Sequence, residues 1–470
     1  MGIPDGEARR RVEGAGTTGQ NRDRPARLPS SLLLGLGLWA AALAAVASAG
    51  LLRNPGEPGT QLLCGASALL ALVGAALVDR RAPLREPDFA APTDRKVPGD
   101  RPSPPLGWKV AGAALLLAAL PATGLSVYLA AGRTESAAPL WLWLFALAAL
   151  PVGLNFGVRN PLHLARPKAD AESAMVLGIL ALAAALRLSG PDSPPPQLQA
   201  GNTIYSPGTA SLVEGLLSLL LLQLTARRLF PLRVAVTALL LLAVNPWHVR
   251  LSQTGFPEMP LLLAPLLLFY LLLRALDSRR SIEYLLAGYA AGLCLALPSG
   301  THLALGAAVL YLLHRATVER GFSRVHAPGL LLTVLGASVL MAPVAAFYGG
   351  LPSDLLSGAT VQHFELIGSG SPLVGSDPPL DLWAWVVAVP GIAMATVRLH
   401  RSRYFLLALG VWLPVASGFV VKGAFPSGPW PFALPFVALA AALFLEVGGR
   451  AATALVDAGS MASQGARPSP

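Results

Sequence analysis

The chain has 470 residues, 54% of them hydrophobic and 13% charged, with a mean hydropathy of +0.58 and a formal net charge of +10. So apolar a chain cannot cover itself with polar surface in water, which excludes an ordinary soluble enzyme and leaves a polytopic membrane protein. No basic patch is interleaved with aromatic residues, so nucleic acid is set aside and the positive balance reads as the Lys/Arg that hold loops on the cytoplasmic side.

Residues 1-30 are rich in Gly, Arg and Glu and have no hydrophobic period, with Arg9, Arg10, Arg11, Arg22, Arg24 and Arg27 among them. They read as a disordered cytoplasmic tail. The apolar run that follows is about twenty residues long, which suits a span rather than the core of a signal peptide. Measured against that length, fourteen runs qualify: 32-52, 62-78, 108-131, 139-156, 174-188, 208-225, 232-246, 257-276, 282-298, 301-314, 327-348, 380-399, 404-421 and 430-447. The expected fold class is therefore an all-α polytopic membrane protein of about fourteen transmembrane helices. Its parts are the tail, four N-terminal spans over 31-156 with a cytoplasmic linker at 79-107, a main membrane domain over 157-450, and a disordered tail over 451-470.

With the first tail inside, alternate segments collect thirty Lys/Arg on the cytoplasmic side, whereas the outer side holds five: Arg53, Arg133, Arg187, Arg250 and Lys422. That asymmetry predicts both termini inside. Cys64 and Cys294 fall within spans among small apolar neighbours, and neither a disulfide framework nor a Cys/His zinc spacing exists. No cofactor motif is evident, and the need for a divalent metal stays open.

Two outward segments are long. Ser189 to Pro207 contains Pro191, Pro194, Pro195 and Pro196, a density that prevents a regular helix and favours a stiff extended loop. Gly349 to Pro379 has no Lys or Arg and carries Asp354, His363, Glu365 and Asp377. Long loops on one face of an otherwise economical bundle are where a site is expected.

Ionisable residues gather at the same boundary. Arg187 ends the fifth span, Glu214 stands near the outer end of the sixth, and His248, Arg250 and Glu258 lie in the polar stretch Asn245-Pro-Trp-His-Val-Arg-Leu-Ser-Gln-Thr-Gly-Phe-Pro-Glu258. A charge facing lipid costs about 2.5–3.5 kcal/mol on insertion scales, so such groups face a bundle interior or a water-filled cleft. The arginines have a second reading as headgroup anchors, and the acids a second reading as their ion-pair partners. His363 and Glu365, two apart, share a face only on a strand.

The run Ala185-Leu-Arg187-Leu, the Pro-rich loop, Tyr205, Glu214-Gly215, the 243-258 stretch and Leu286-Ala-Gly-Tyr-Ala-Ala-Gly-Leu-Cys-Leu-Ala-Leu-Pro298 together resemble the GT-C glycosyltransferases of family 39 type. These include protein mannosyltransferases and bacterial lipid A aminoarabinose transferases, and the likeness covers residues 174 to 447. The resemblance implies a GT-C-like helical bundle whose first outer loop lies across a cleft. It also implies transfer of a sugar from a polyprenyl-phosphate donor to a lipid, glycan or protein hydroxyl on the non-cytoplasmic face; separately, the Ala/Leu/Gly/Pro/Arg bias of the composition points to a bacterial inner membrane. On it, Glu258 and Asp192 become the candidate catalytic carboxylates, Arg187, Arg250 and His248 the donor-phosphate ligands, and Asn202, Tyr205, Glu214, His363 and Glu365 the sugar- or acceptor-binding residues. One departure is evident: the family's Asp-Glu pair in that loop falls on Gly201-Asn202, and an amide has no useful proton affinity near neutral pH. Two other readings therefore stay open, a non-catalytic lipid-binding or partner subunit on the same scaffold, and a transporter. The last would need two related halves, which the chain does not show.

Overall fold

The structure is a computed structural model that describes residues 106–131, 138–157, 171–188, 207–253, 259–297, 301–347, 382–420 and 430–465. The expected spans at 32-52 and 62-78, both long outer loops, and Glu258 lie outside these residues.

Thirteen helices and no strand are present among the described residues. In chain order they are α1 (Leu106–Ala131), α2 (Ala138–Gly157), α3 (Ala171–Leu188), α4 (Pro207–Leu229), α5 (Leu232–Ala243), α6 (Pro246–Gln253) and α7 (Met259–Ser278). There follow α8 (Ser281–Ala296), α9 (His302–Val318), α10 (Phe322–Phe347), α11 (Leu382–Val397), α12 (Ser402–Val420) and α13 (Trp430–Gly465). Every apolar run from 108 onward has become a helix. Six are long and apolar enough to cross a membrane, or seven if α5 and α6 form one bent span. Their outer surfaces carry Leu117, Tyr128, Trp141, Leu177 and Leu331, each at least 65% exposed. Such side chains are at home in lipid and would be an aggregation hazard in water.

Backbone groups in a bilayer must be satisfied within the segment, which is why these runs fold as helices even around Pro121, Pro151, Pro265, Pro390, Pro414 and Pro435. The most enclosed are α7 and α13, whose aromatic rings meet in the core: Phe269 stands 6.2 Å from Phe432 and 5.6 Å from Phe436 between centroids. Where helices come closest, glycine replaces a side chain. A Cβ on Gly288 would lie 2.2 Å from the Thr333 carbonyl oxygen, one on Gly292 3.0 Å from that of Ala337, and one on Gly391 1.9 Å from that of Ala440. The Gly288–Gly292 pair is the small-residue spacing that lets membrane helices approach. It brings α8 onto α10.

The α1–α2 hairpin packs on α8 and α10 and is tied there by two hydrogen bonds. Trp143 Nε1–H donates to Val339 O at 3.2 Å, and the Tyr289 hydroxyl donates to Leu147 O at 3.0 Å. At the other end of the chain the helix does not stop at 450, where the sequence pattern placed the start of a disordered tail. It runs on to Gly465, because Ala451, Ala452, Ala454 and Leu455 have high helix propensity and no proline interrupts it, although Gly448, Gly449 and Gly459 lie within it.

Candidate functional site

Two helices bring the polar stretch of the sequence back against the apolar bundle. After α5 the chain bends by 58° and starts α6 at once. Asn245 caps the new helix: its Oδ1 accepts the His248 backbone N–H at 3.0 Å, and Pro246 occupies the first helical position, where no N–H is needed. α6 then packs against α4 through Gly215, where a Cβ would come within 2.7 Å of Ser252 Cβ. Gly215 thus explains the Glu214-Gly215 dipeptide as a close-approach position beside a half-buried carboxylate.

This docking seats His248, which has no exposed surface, between the end of α3 and the middle of α4. Arg187 Nη2–H donates to His248 Nδ1 at 2.6 Å, and His248 Nε2 stands 3.0 Å from Ser218 Oγ. Arginine can only donate, so Nδ1 carries no proton and the ring is neutral with its hydrogen on Nε2. That hydrogen goes to Ser218 Oγ, whose own proton goes to Gly215 O at 2.7 Å. Each hydrogen along this chain is thereby placed.

Arg187 is itself 95% buried, being 5% exposed. Its Nη1 donates to Ala183 O at 2.7 Å and to Ala243 O at 3.4 Å, and Gln253 Nε2 closes the end of α3 by donating to Arg187 O at 3.0 Å. The Nε–H is buried and has no hydrogen-bond partner. Among the described residues, no carboxylate lies within ion-pair distance of this guanidinium. The protein treats buried charge differently elsewhere: Glu283, 2% exposed, receives Arg274 Nε–H at 2.8 Å. Among the described residues nothing offsets the several kcal/mol that such a buried cation costs, and Arg187 Nε–H is left able to donate to an anion.

The site stands at one end of the bundle. α3 and α4 run antiparallel, pinned at their other ends by Glu172 and Arg227, with oxygen–nitrogen distances of 2.7 and 3.2 Å. Fifteen residue steps along α3 separate Glu172 from Arg187, about 22 Å of helix.

Of the residues expected at the site, the structure joins Arg187 and His248 directly and places Glu214 on α4, one turn before Ser218. Arg250 is on α6 but exposed, two residues and about 200° round the helix from His248, so it does not share the face of Arg187. Asp192, Asn202, Tyr205, Glu258, His363 and Glu365 lie outside the described residues. Ser218, Asn245 and Gln253 were not foreseen. Only Asn245-Pro246 carried a signal, the capping residue followed by proline at the first helical position. Among the described residues no three His, Cys, Asp or Glu side chains gather where a metal ion could be held.

Residues 200–347 match the family model described as dolichyl-phosphate-mannose-protein mannosyltransferase, a segment just under a third of the chain that runs from before α4 through α10. Ser218 and His248 lie inside it, and Arg187 precedes it. Among solved structures, the oligosaccharyltransferase of Archaeoglobus fulgidus in complex with zinc and sulfate is similar at 17% identity and a TM-score of 0.37, over 54% of this chain and 39% of that one. The same oligosaccharyltransferase tethered to an acceptor peptide containing the NVT sequon is similar at 16% identity and a TM-score of 0.35, over 51% and 38%. The chain thus spans about two fifths of the length of these structures. Among curated proteins none matches.

Proposed function

We propose that this integral membrane protein is a GT-C-type glycosyltransferase that moves a sugar from a polyprenyl-phosphate donor to a lipid, glycan or protein hydroxyl on the non-cytoplasmic face. The observation that carries this reading is the buried Arg187, held by His248 and lacking a carboxylate partner among the described residues. The family-model match over residues 200–347 supports the same donor class.

The chemistry uses these groups in a defined order. The bond between the sugar's anomeric carbon and the phosphate oxygen breaks, and its electron pair leaves with the polyprenyl phosphate. A fixed cation stabilises that charge more in the transition state than in the donor, which is the role assigned to Arg187. The acceptor oxygen bonds to the anomeric carbon and gives its proton to a carboxylate, Glu258 or Asp192, a contribution of about 10²–10⁴-fold. Arg250, turned away from Arg187 on the exposed side of α6, takes its other role as a headgroup anchor, while Asn202, Tyr205, Glu214, His363 and Glu365 contact sugar or acceptor. His248 acts through Arg187 rather than on the phosphate, since both its ring nitrogens are engaged. It is a positioning residue.

The test is transfer from a panel of polyprenyl-phosphate sugars by purified protein in lipid nanodiscs. Arg187→Gln should lower kcat/KM about ten- to a hundredfold, the worth of a hydrogen bond to a charged group, and Glu258→Gln should abolish transfer. Full activity in both variants would sink the assignment. Gly201-Asn202, standing where the acidic pair is expected, favours a second reading as a non-catalytic lipid-binding subunit. Donor binding by the unaltered protein with no turnover across the panel would establish that one instead.

A further inference from the structure

The end of the bundle opposite Arg187 carries a second group of arginines. Arg279 and Arg280 form the α7–α8 turn, Arg320 stands in the α9–α10 turn, and Arg324 lies in the first turn of α10. A hydrogen bond between the Tyr284 hydroxyl and His326 Nδ1 ties the start of α8 to the start of α10, which brings the two turns together. None of these four arginine side chains has a hydrogen bond or an ion pair within the protein. The carboxylates beside them are already engaged: Asp277 holds Arg228 at 2.7 Å, Glu283 holds Arg274 at 2.8 Å, and Glu319 holds Arg315 at 2.6 Å. Four cations are left over.

Below the arginines two apolar flanks descend. On α9 these are Val318, Leu313, Leu310 and Val309, and on α10 Val325, Leu331 and Val334, each at least 40% exposed. Leu331 and Val334 follow Arg324 by seven and ten residues, which puts them on its side of the helix. Nine residue steps separate Val309 from Val318 and nine separate Val325 from Val334, about 13 Å of helix in each case. That is close to the ~15 Å of hydrocarbon in one leaflet. α9 packs on α12 while α10 packs on α8 and α1, so these consecutive helices share little contact and their apolar sides stay open. A soluble anion gains nothing from such flanks. An amphiphile with an anionic head uses both parts.

We propose that the α7–α8 and α9–α10 turns hold the phosphate head of an anionic phospholipid, whose acyl chains lie along the exposed sides of α9 and α10. The Arg228–Asp277 pair joins the α7–α8 turn to the end of α4 where Arg227 meets Glu172, about 22 Å of helix from Arg187, so the head belongs to the opposite membrane face. There the Lys/Arg bias of the loops predicts the cytoplasm, whose leaflet attracts basic residues at the surface. The inference stands whether or not the other end transfers sugar.

The experiment is native mass spectrometry of the full chain, released from nanodiscs of mixed phosphatidylglycerol and phosphatidylcholine, scoring retained lipid. The unaltered protein should keep phosphatidylglycerol in preference. Arg320→Gln with Arg324→Gln removes no hydrogen bond or ion pair, so the fold should hold while that retention weakens roughly thirtyfold, each arginine at a membrane surface being worth about a factor of five. Should that pair of changes prevent insertion, Arg279→Gln with Arg280→Gln decides by the same measure. Arg233→Gln, an exposed arginine at the start of α5, should change nothing. Equal retention of both lipids by the unaltered protein, or undiminished retention in the deciding double variant, would overturn the proposal. So would an equal loss in Arg233→Gln, which would mean a diffuse surface charge, or displacement of the lipid by millimolar inorganic phosphate, which would mean a pocket for free anions.

Discussion

Arg187 and His248 meet 2.6 Å apart, sixty-one residues distant in sequence, and the imidazole fixes the guanidinium only because its Nδ1 is bare. An asparagine at 248 places an acceptor close to where Nδ1 stands, whereas a glutamine reaches toward the Nε2 position and Ser218. If the histidine acts through Arg187, His248→Asn should keep much of the donor affinity and His248→Gln should lose it about tenfold. A merely structural histidine would show equal losses in both, so KM for the donor, read beside the melting temperature, separates the two roles.

The docking of α6 makes a second prediction, on stability. Gly215→Ala places a methyl 2.7 Å from Ser252 Cβ, closer than packed atoms come, and should cost about 1–3 kcal/mol by forcing α6 off α4. Adding Ser252→Gly removes the atom it meets. Thermal unfolding in detergent should then show the double variant more stable than the sum of the two single effects; additive losses would mean that the contact does not limit the packing.

How much of this was legible beforehand follows from what burial does to each residue type. Apolar runs announced every helix from α1 to α13 except α6, because lipid allows an isolated backbone few alternatives. α6 was hidden, since an eight-residue polar segment has no hydrophobic period and only Asn245-Pro246 betrays its start. Arg187 stood out because a charge ending an apolar run is rare. Ser218 did not, because a serine can bond its own helix's carbonyl and costs little in a span. The opposite facing of Arg250 and His248 depended on which side of α6 packs inward, and that was set by Gly215, a residue in another helix.

The α7–α8 turn gives a third expectation. Glu283 is buried and takes hydrogen bonds from Arg274 and from the Ser278 hydroxyl, which together clamp the turn at Arg279, where φ is 56°. Glu283→Ala leaves Arg274 without its counter-ion, holding only the Tyr270 hydroxyl, and Ser278 without its acceptor. Breaking a buried pair costs about 3–5 kcal/mol, and the lower end applies because Arg274 is 27% exposed. Arg279→Gly should move stability the other way by about 1 kcal/mol, relieving a left-handed residue that carries a Cβ. Chemical or thermal unfolding of the two variants should shift in opposite directions; a shared direction would contradict this account of the turn.

Sidedness yields the last prediction, and the sugar-transfer proposal hangs on it. If the thirty Lys/Arg of the alternate segments face inward, the α9–α10 turn at Gly321 is cytoplasmic and the Pro-rich segment around Ser193 is external. In a background freed of Cys64 and Cys294, Ser193→Cys should react with a membrane-impermeant maleimide on intact cells, and Gly321→Cys only after lysis. Gly321 has φ of 81°, but nothing stands within 4 Å of its would-be Cβ, so a cysteine there is strained yet not obstructed. Arg320→Cys, exposed and next to it, repeats the measurement without that strain. Labelling with the two sides exchanged would place Arg187 at the cytoplasmic face and leave the sugar-transfer reading without its stated side.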